Sequence, residues 1–382
     1  MQDAAMRQQC VASTSGSGCS RAWRPCRASR RHLVPTRAVL DFNMWQTGDL
    51  PAGYKPPTVV PGARTLATPR LDKERVFQRL LDSPHPLSAR HHAAFYSSVL
   101  GGITTEPGLM VLHAEDRMAH AGHAVYDVVP LVRGHLYQLD RHLARALAAA
   151  EEAGVAVAPS GDALKRILLD TAAASRKLNG HVLFWLSAGA GGFGPGSADL
   201  VEPSLFALVT TEFAEPGDFD RTKGWRARAS PVEPPPEYFA TFKNASGLVG
   251  AVAQLEAEAN DCDVALFVDA EDRVLSGTTA NLAVITPDHT FVYAPFERAP
   301  PGITVQTIAE LIPQAMLIGS TRGVVGLTSL DGAPIGEGDG PGYMTLALQQ
   351  VLTNHRDELD LQSGRHVRVP YGGLTGMPSQ LV

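Results

Sequence analysis

Lys243 is the side chain in this sequence best suited to covalent chemistry. Of the six lysines, it is the one that ends an aromatic-rich segment, residues 238–243, and precedes a helix start of small residues at 244–247. A lysine amine attacks a carbonyl only when unprotonated, and an apolar setting favours that form. The pattern therefore predicts an amine that bonds covalently to a carbonyl group. An ordinary surface lysine, with its aliphatic stem on apolar surface and its charge in water, remains the alternative.

Three glycines, Gly189, Gly191 and Gly194, match the spacing of a dinucleotide-binding loop. Such a loop needs a helix directly after it, whose N-terminus meets the pyrophosphate. Pro195 and further small residues follow instead, so we predict no nicotinamide-nucleotide site. We interpret residues 188–199 as a crossing between two domains, where glycine also lets the backbone approach a substrate carboxylate.

A group of four side chains, His113, Asp116, His120 and His123, offers imidazoles and a carboxylate that could bind a metal. Their spacing is irregular and they lie between predicted strands, so we predict no metal site. The sequence has neither the G-x-S-x-G motif of serine hydrolases nor the G-x-x-x-x-G-K-[ST] phosphate loop. Hydrolase and nucleoside-triphosphatase functions therefore lose their main support.

The first 40 residues have the charge typical of an organelle-targeting segment. They contain seven arginines and one acid, Asp3, which gives +6; the total is −6, so the remainder carries −6 − (+6) = −12. An Arg-rich, Ser-containing segment without an apolar signal core predicts a transit peptide over residues 1–40. A disordered basic arm is the alternative. The acidic remainder argues against nucleic-acid binding.

Composition predicts a soluble globular protein with a sizeable core. Hydrophobic residues make up 44% of the 382 residues and charged ones 19%, and no apolar stretch is long enough to cross a bilayer. Cys10, Cys19 and Cys26 lie in the predicted transit peptide, which leaves Cys262. The mature chain is therefore predicted to form no internal disulfide.

The elements that would position Lys243 divide into two units, which predicts a two-domain α/β (α+β) fold. In the first unit, hydrophobic periodicity predicts strands over 108–112, 125–132 and 181–187, and helices with Asp140 and Ser160 as N-caps. In the second, strands are predicted over 204–211, 264–268, 282–285, 291–293 and 316–318, with helices over 248–259, from 304, and over 343–358. The predicted limits are an extension over 41–85 with one helix near 73–81, a small domain over 86–187, a linker over 188–199, a large domain over 200–373 and a tail over 374–382.

Seven stretches, in one order along the chain, resemble the class-IV (fold-type IV) pyridoxal-phosphate enzymes. Within that family they are most similar to the plant plastid group of D-amino acid aminotransferases and aminodeoxychorismate lyases. The resemblance implies pyridoxal 5′-phosphate in a cleft between a small and a large domain, a homodimer, and a location in the chloroplast stroma. It extends from about Phe95 to Tyr371, and its most specific stretches are Phe95–Ile103, Gly122–Asp127, Gly134–Arg145, Trp185–Gly189, Phe239–Asn244, Gln254–Ala259 and Met316–Thr321.

The resemblance also implies roles for individual residues. Lys243 would hold the cofactor and then transfer the proton at the substrate Cα. Arg145 would bind the cofactor phosphate as a planar donor fork, together with a helix N-terminus. The implied phosphate-binding residues are Arg145, Ile303, Thr304, Ser320 and Thr321; Ser276 faces the pyridine nitrogen; and Tyr126, Ser187 and Gly189 face the substrate.

The sequence departs from the family pattern in three places. Ser276 stands where the family has a glutamate that keeps the pyridine nitrogen protonated, which makes the ring a poorer electron sink. Ser246 and Gly247 replace an Asn-Tyr pair that helps to hold the ring. The interval from Thr304 to Met316 is too short for a strand and a helix that the family has there.

Transamination between an amino acid, in particular a D-amino acid, and a 2-oxo acid is the function that the resemblance favours. The first alternative is aminodeoxychorismate lyase activity, which gives 4-aminobenzoate for folate synthesis. Ser276 favours this alternative, because serine opposite the ring nitrogen is typical of pyridoxal-phosphate families that catalyse eliminations. The second alternative is a degenerate, non-catalytic cofactor-binding protein.

Overall fold

A computed structural model of the chain describes residues 68–82, 86–211, 224–285, 291–311, 317–319, 323–334 and 343–372. Within these ranges the helices are α1 Lys73–Asp82, α2 Pro86–His91, α3 Arg117–Ala121, α4 Leu139–Glu152, α5 Gly161–Ser175, α6 Glu237–Ala240, α7 Leu248–Glu258, α8 Ile303–Leu311 and α9 Tyr343–Asp357. The strands are β1 His92–Ser97, β2 Gly102–Thr104, β3 Ala124–Val132, β4 His135–Tyr137, β5 Gly180–Ser187, β6 Ser204–Thr210, β7 Trp225–Ala229, β8 Val264–Val268, β9 Val274–Gly277, β10 Ala283–Ile285, β11 Phe291–Tyr293, β12 Leu317–Gly319, β13 Gly323–Val325, β14 Leu327–Leu330, β15 Ala333–Pro334 and β16 His366–Arg368.

The larger sheet has the strand order β16-β4-β3-β5-β6-β1-β2, with antiparallel neighbours throughout. Its central pair, β3 and β5, runs from Ala124 opposite Ser187 to Leu131 opposite Gly180. Side chains alternate between the faces of a strand, so Asp127 points to the face opposite that of Tyr126. Helices α4 and α5 cover the Asp127 face, and their apolar sides join the strands in the main core.

The second sheet is mixed, with the order β15-β14-β7-β8-β9. Strand β7 is parallel to both β14 and β8, while β9 returns antiparallel to β8. Helix α7 packs on this sheet through Ala253 and Ala257, which are both fully buried. Two hairpins, β10–β11 and β12–β13, accompany it. From β9 the chain continues through the first hairpin to the loop before α8.

The larger sheet includes strands from both sides of the linker that the sequence predicts at 188–199. Strand β6 lies beyond that linker, yet it pairs with β5 over its whole length. Strand β16, near the C-terminal end of the described chain, pairs with β4. The predicted domain limits remain a prediction, and the sheet indicates that residues after the crossing complete the first unit.

Many of the predicted elements are confirmed. Strands β8 and β11 have the predicted bounds, and β3, β5, β6, α1, α7, α8 and α9 differ by one or two residues. Ser160 is the N-cap of α5, since its Oγ accepts from the Ala163 N–H at 3.3 Å. No helix among the described residues is both long and apolar enough to span a bilayer.

Two local predictions are wrong for identifiable reasons. Residues 108–112 form no strand, because Pro107 begins a single 3₁₀ turn that ends at Leu109. Helix α4 begins one residue before Asp140, after Gln138 in a left-handed conformation with φ 58°. The Gln138 side chain donates to Thr307 Oγ1 at 2.9 Å, so a contact with α8 accounts for a backbone that its residue type does not favour.

Candidate functional site

Lys243 lies on the open edge of β3, on the side opposite β5. Its carbonyl accepts from the Tyr126 N–H at 3.1 Å, and the Ala245 N–H donates to the Ala124 carbonyl at 2.9 Å. These contacts form a short antiparallel bridge centred on Val125 and Asn244. The local sequence closes the turn, because the Asn244 side chain donates to the Phe239 carbonyl at 3.1 Å and accepts from the Ser246 N–H at 3.1 Å. The lysine is thus held by backbone pairing to a core strand.

The Lys243 amine lies over the face of the Tyr126 ring. The distance from Nζ to the ring centroid is 5.0 Å, within the range in which an aromatic face attracts a cation. Lys243 is half-buried, and the neighbouring Phe242 is anchored in the main core. The structure therefore brings together the predicted nucleophile and the predicted substrate-facing tyrosine.

A buried ionic network lies directly behind Tyr126. Asp127 is 1% exposed and accepts from Arg145 twice, from Nε at 2.8 Å and from Nη2 at 2.7 Å. It also accepts from His142 Nδ1 at 2.8 Å. Burial alone would raise the pKa of Asp127, but the hydrogen bonds and charges of His142 and Arg145 outweigh it and hold the pKa well below its ordinary value. Burial lowers the pKa of His142, so at neutral pH a neutral imidazole donates through Nδ1 to an ionised carboxylate.

Asp127→Asn is expected to destabilise the fold by about 3–5 kcal/mol, because it leaves the Arg145 guanidinium buried without its counter-ion. Because the folded-state pKa of Asp127 lies below the ordinary value of 3.8, this stabilisation is complete above that value and declines as the pH falls further. Urea unfolding at pH 7 and near pH 3 measures the difference. The matched control is Asp170→Asn, which breaks the exposed Arg166–Asp170 pair and should cost less than about 1 kcal/mol. Equal losses in the two variants would contradict the role of Asp127.

Arg145 also connects this network to the N-terminus of α8. Its Nη1 donates to the Pro301 carbonyl at 2.8 Å, and Asn281 Nδ2 donates to the Pro300 carbonyl at 2.8 Å. A Cβ on Gly302 would lie 2.1 Å from Asn281 Oδ1, so a larger residue there would displace the Asn281 side chain from this loop. The loop before α8 is thereby fixed between two side chains.

The donors at this loop fit a phosphate group. Arg145 has five N–H donors, of which three are directed to Asp127 and Pro301, so two remain for another acceptor. The first turn of an α-helix presents backbone N–H groups and a positive dipole end, which favour an anion. Ile303 and Thr304 form that first turn and are buried. The residues present thus fit a group with an anionic end at α8 and a carbonyl near Lys243.

The other predicted site residues lie in different parts of the structure. Ser276 lies on β9, opposite Phe267, and is half-buried; the chain continues from it to Asn281 in the loop contact described above. Ser187 is fully buried, and its hydroxyl donates to Asp116 at 2.5 Å. Gly189 has φ 84°, and a Cβ there would lie 1.7 Å from the Glu202 carbonyl oxygen, so the crossing turns where only glycine fits. Ser320 and Thr321 lie outside the described residues.

Residues that the sequence interpretation missed complete the arrangement. Asp127 is the one ionisable side chain of acidic type within β3, and a lone acid in an apolar strand signals a buried ionic contact. Asn281 gave no comparable signal. Asp116, one of the four side chains that could bind a metal, instead caps α3 through the Met118 N–H at 2.9 Å and accepts from Ser187. Among the described residues no group of three or more metal-binding side chains occurs.

Comparison with known proteins gives matches at the level of family and of fold. Residues 124–322 match the family model described as amino-transferase class IV. A chloroplastic D-amino-acid transaminase of Arabidopsis thaliana is 34% identical over 243 residues, which are 63% of this chain and 64% of that protein. The match thus spans just under two thirds of the curated relative.

Two solved structures illustrate the likeness in fold. A branched-chain amino acid aminotransferase from Thermus thermophilus, complexed with N-(5′-phosphopyridoxyl)-L-glutamate, has a TM-score of 0.65 at 17% identity and covers 73% of this chain and 99% of its own. A 4-amino-4-deoxychorismate lyase from Pseudomonas aeruginosa has a TM-score of 0.54 at 22% identity and covers 65% of this chain and 96% of its own. At these identities the likeness concerns the fold alone, and it confirms the predicted α/β, fold-type IV class.

Proposed function

The chain belongs to the class-IV aminotransferase family, and from that premise we propose that it is a pyridoxal-phosphate-dependent transaminase acting between a D-amino acid and a 2-oxo acid. The observation that carries the proposal is the placement of the Lys243 amine over Tyr126, one residue before the Asp127–Arg145 pair that leads to the N-terminus of α8. The Lys243 amine contacts Tyr126 of β3, and Arg145, which contacts the next residue of that strand, Asp127, also reaches the loop before α8. That is the donor set which a phosphorylated aldehyde requires.

The proposed chemistry divides between the cofactor and the chain. Pyridoxal phosphate, when bound, supplies an electron-accepting ring that stabilises negative charge at the substrate Cα. Lys243 holds the cofactor covalently, and its freed amine then moves the proton at Cα. Tyr126 supports the ring from one side. Arg145, Ile303 and Thr304, with Ser320 and Thr321, bind the phosphate; Ser276 faces the pyridine nitrogen; and Ser187 and Gly189 belong to the crossing that faces the substrate.

The proposal includes a cellular location and an assembly. The Arg-rich residues 1–40 and the chloroplastic relative support import into the plastid stroma after removal of a transit peptide. We further propose a homodimer, small-molecule substrates, and no nucleic-acid or membrane partner. The cofactor would bind between a small domain predicted over 86–187 and a large domain predicted over 200–373, joined by 188–199, with β6 and β16 contributed to the sheet of the small domain.

Lyase activity on aminodeoxychorismate is the second candidate, and Ser276 favours it. A neutral hydroxyl at the pyridine nitrogen reduces electron withdrawal by the ring, which matters more for transamination than for elimination. The likeness in fold to the Pseudomonas aeruginosa lyase is compatible with this candidate. A non-catalytic cofactor-binding protein is the third candidate, because α8 ends at Leu311 and β12 begins at Leu317, which leaves no room for the additional strand and helix of the family.

The visible absorption spectrum of the purified protein with pyridoxal phosphate tests the proposal. A band that appears on binding and shifts on addition of a D-amino acid supports a transaminase. Release of pyruvate from aminodeoxychorismate, without amino transfer to any 2-oxo acid, would favour the lyase. Absence of a band would contradict both enzymatic functions.

Arg145→Lys is expected to weaken binding of pyridoxal phosphate about 10- to 100-fold while changing kcat at saturating cofactor less than about threefold, since phosphate anchoring is mostly uniform binding. Lysine keeps the positive charge beside Asp127. It lacks the planar donor fork of arginine, so it cannot also contact Pro301 and a phosphate. Fluorescence titration with the cofactor measures the affinity. The matched control is Arg141→Lys on the same helix, because Arg141 contacts Gln306 and Glu310 of α8 but not its N-terminus. A large fall in kcat with unchanged cofactor affinity would contradict the anchoring role.

A further inference from the structure

Arg117 holds the crossing between β5 and β6 by its side chain. Its Nη1 donates to the carbonyls of Gly194 and Gly196, each at 2.9 Å, and its Nη2 donates to the carbonyl of Pro195 at 3.4 Å. One guanidinium thus contacts three successive peptide units. The residue is 4% exposed, although the three residues that it holds are exposed.

Backbone contacts attach the earlier part of the crossing to the same segment. The Arg117 N–H donates to the Gly189 carbonyl at 2.9 Å, and the Gly191 N–H donates to the Glu115 carbonyl at 3.1 Å. Asp116 bridges Ala190. The crossing is therefore fixed from residue 189 to residue 196 by three consecutive residues, 115–117.

Stability alone does not account for this arginine. Among the described residues no carboxylate lies within ion-pair distance of its guanidinium, and its Nε has no hydrogen-bond partner. Removing a cation from water without a counter-ion costs free energy, and an apolar side chain of similar size would avoid that cost. The guanidinium instead fixes the positions of the carbonyls of Gly194, Pro195 and Gly196, which could otherwise form hydrogen bonds with water.

The segment that holds the crossing also contacts the lysine segment. Ser187 pairs with Ala124 on one side of β3, and the Ala245 N–H donates to the Ala124 carbonyl on the other side. Two strand spacings separate the start of the crossing from the lysine segment, roughly 10 Å. Helix α3 begins at Arg117 and ends at Ala121, and the carbonyl of its C-cap residue, Gly122, accepts from Ser246 Oγ at 3.4 Å.

We propose that Arg117 is a positioning residue for substrate binding: it fixes the crossing over residues 189–196 beside the lysine segment. The inference rests on the proposed transaminase function, in which the crossing faces the substrate. Arg117 itself touches neither the cofactor nor the reacting atoms. Its loss therefore affects the position of the crossing and the KM for the substrate, and leaves cofactor binding in place.

Arg117→Met tests this with two measurements on the full chain. Hydrogen exchange in peptides covering 188–201 should become at least about tenfold faster, because charge-assisted hydrogen bonds that order the segment are lost. The KM for the amino acid should rise about tenfold, since displacement of a positioning loop by even 1 Å weakens productive binding. The absorption band and the affinity for pyridoxal phosphate should stay within about twofold of the parent. Arg117→Lys should give smaller changes in the same direction, because one ammonium cannot span three carbonyls, and it carries the test if the methionine variant does not fold.

Arg166→Met is the control, because Arg166 lies on the exposed side of α5 and pairs with Asp170. It should leave exchange in 188–201 and the KM unchanged. Unaltered exchange in both Arg117 variants would overturn the proposal, and so would faster exchange with an unchanged KM. If the parent protein shows no cofactor band, the proposed function itself fails, and that result is distinct because it does not depend on Arg117.

Discussion

Lys243→Ala is expected to lower the rate of amino transfer at least about 10³-fold, because it removes both the covalent attachment and the group that moves the Cα proton. The amine lies 5.0 Å from the Tyr126 ring centroid and is held by pairing of its backbone to β3. Stopped-flow absorbance with a D-amino acid, at saturating pyridoxal phosphate, measures the half-reaction. In the parent protein, borohydride reduction should attach the pyridoxyl group to Lys243, and peptide mapping identifies the labelled residue.

Lys177→Ala is the matched control, since Lys177 is exposed just beyond the C-terminus of α5 and far in sequence from the β3 edge. It should keep both the rate and the label. A label on Lys223, or a Lys243→Ala protein that transfers amino groups at the parent rate, would contradict the assignment of the lysine.

The sequence predicts the parts of the fold whose signals are local. Periodicity places β3, β5 and α7 within one residue of their observed bounds, because apolar residues recur regularly along each of them. Ser160 is recognised as an N-cap because serine forms that contact within three residues. Lys243 stands out because aromatic residues precede it.

Contacts between distant residues account for what the sequence does not predict. Arg145 bonds to Pro301 across 156 residues, and Gln138 reaches Thr307 across 169. Neither contact can be predicted from the spacing of residues near it in the sequence. Gln138 precedes α4 in a left-handed conformation, and its side chain contacts Thr307 of α8, so Asp140 is the better N-cap in the sequence and the wrong one in the fold.

Ser276→Glu is expected to raise the rate of amino transfer at least about tenfold. A shift of about one pKa unit at the pyridine nitrogen corresponds to a tenfold change in rate. Ser276 lies half-buried on β9, in the strand that leads to Asn281 and the loop before α8. A carboxylate beside the pyridine nitrogen stabilises the protonated ring, whereas a hydroxyl supplies no charge. The half-reaction rate with a D-amino acid, at saturating cofactor, is the measurement.

Ser276→Gln is the control that separates charge from size, because glutamine has the shape of glutamate without its charge. If the glutamate variant is faster and the glutamine variant is not, the position acts through charge on the ring nitrogen. Equal effects of the two variants, with cofactor bound and unfolding temperatures preserved, would show that Ser276 does not face that nitrogen. If neither variant nor the parent binds the cofactor, the short connection between Leu311 and Leu317 becomes the decisive departure from the family, and the non-catalytic candidate replaces the transaminase.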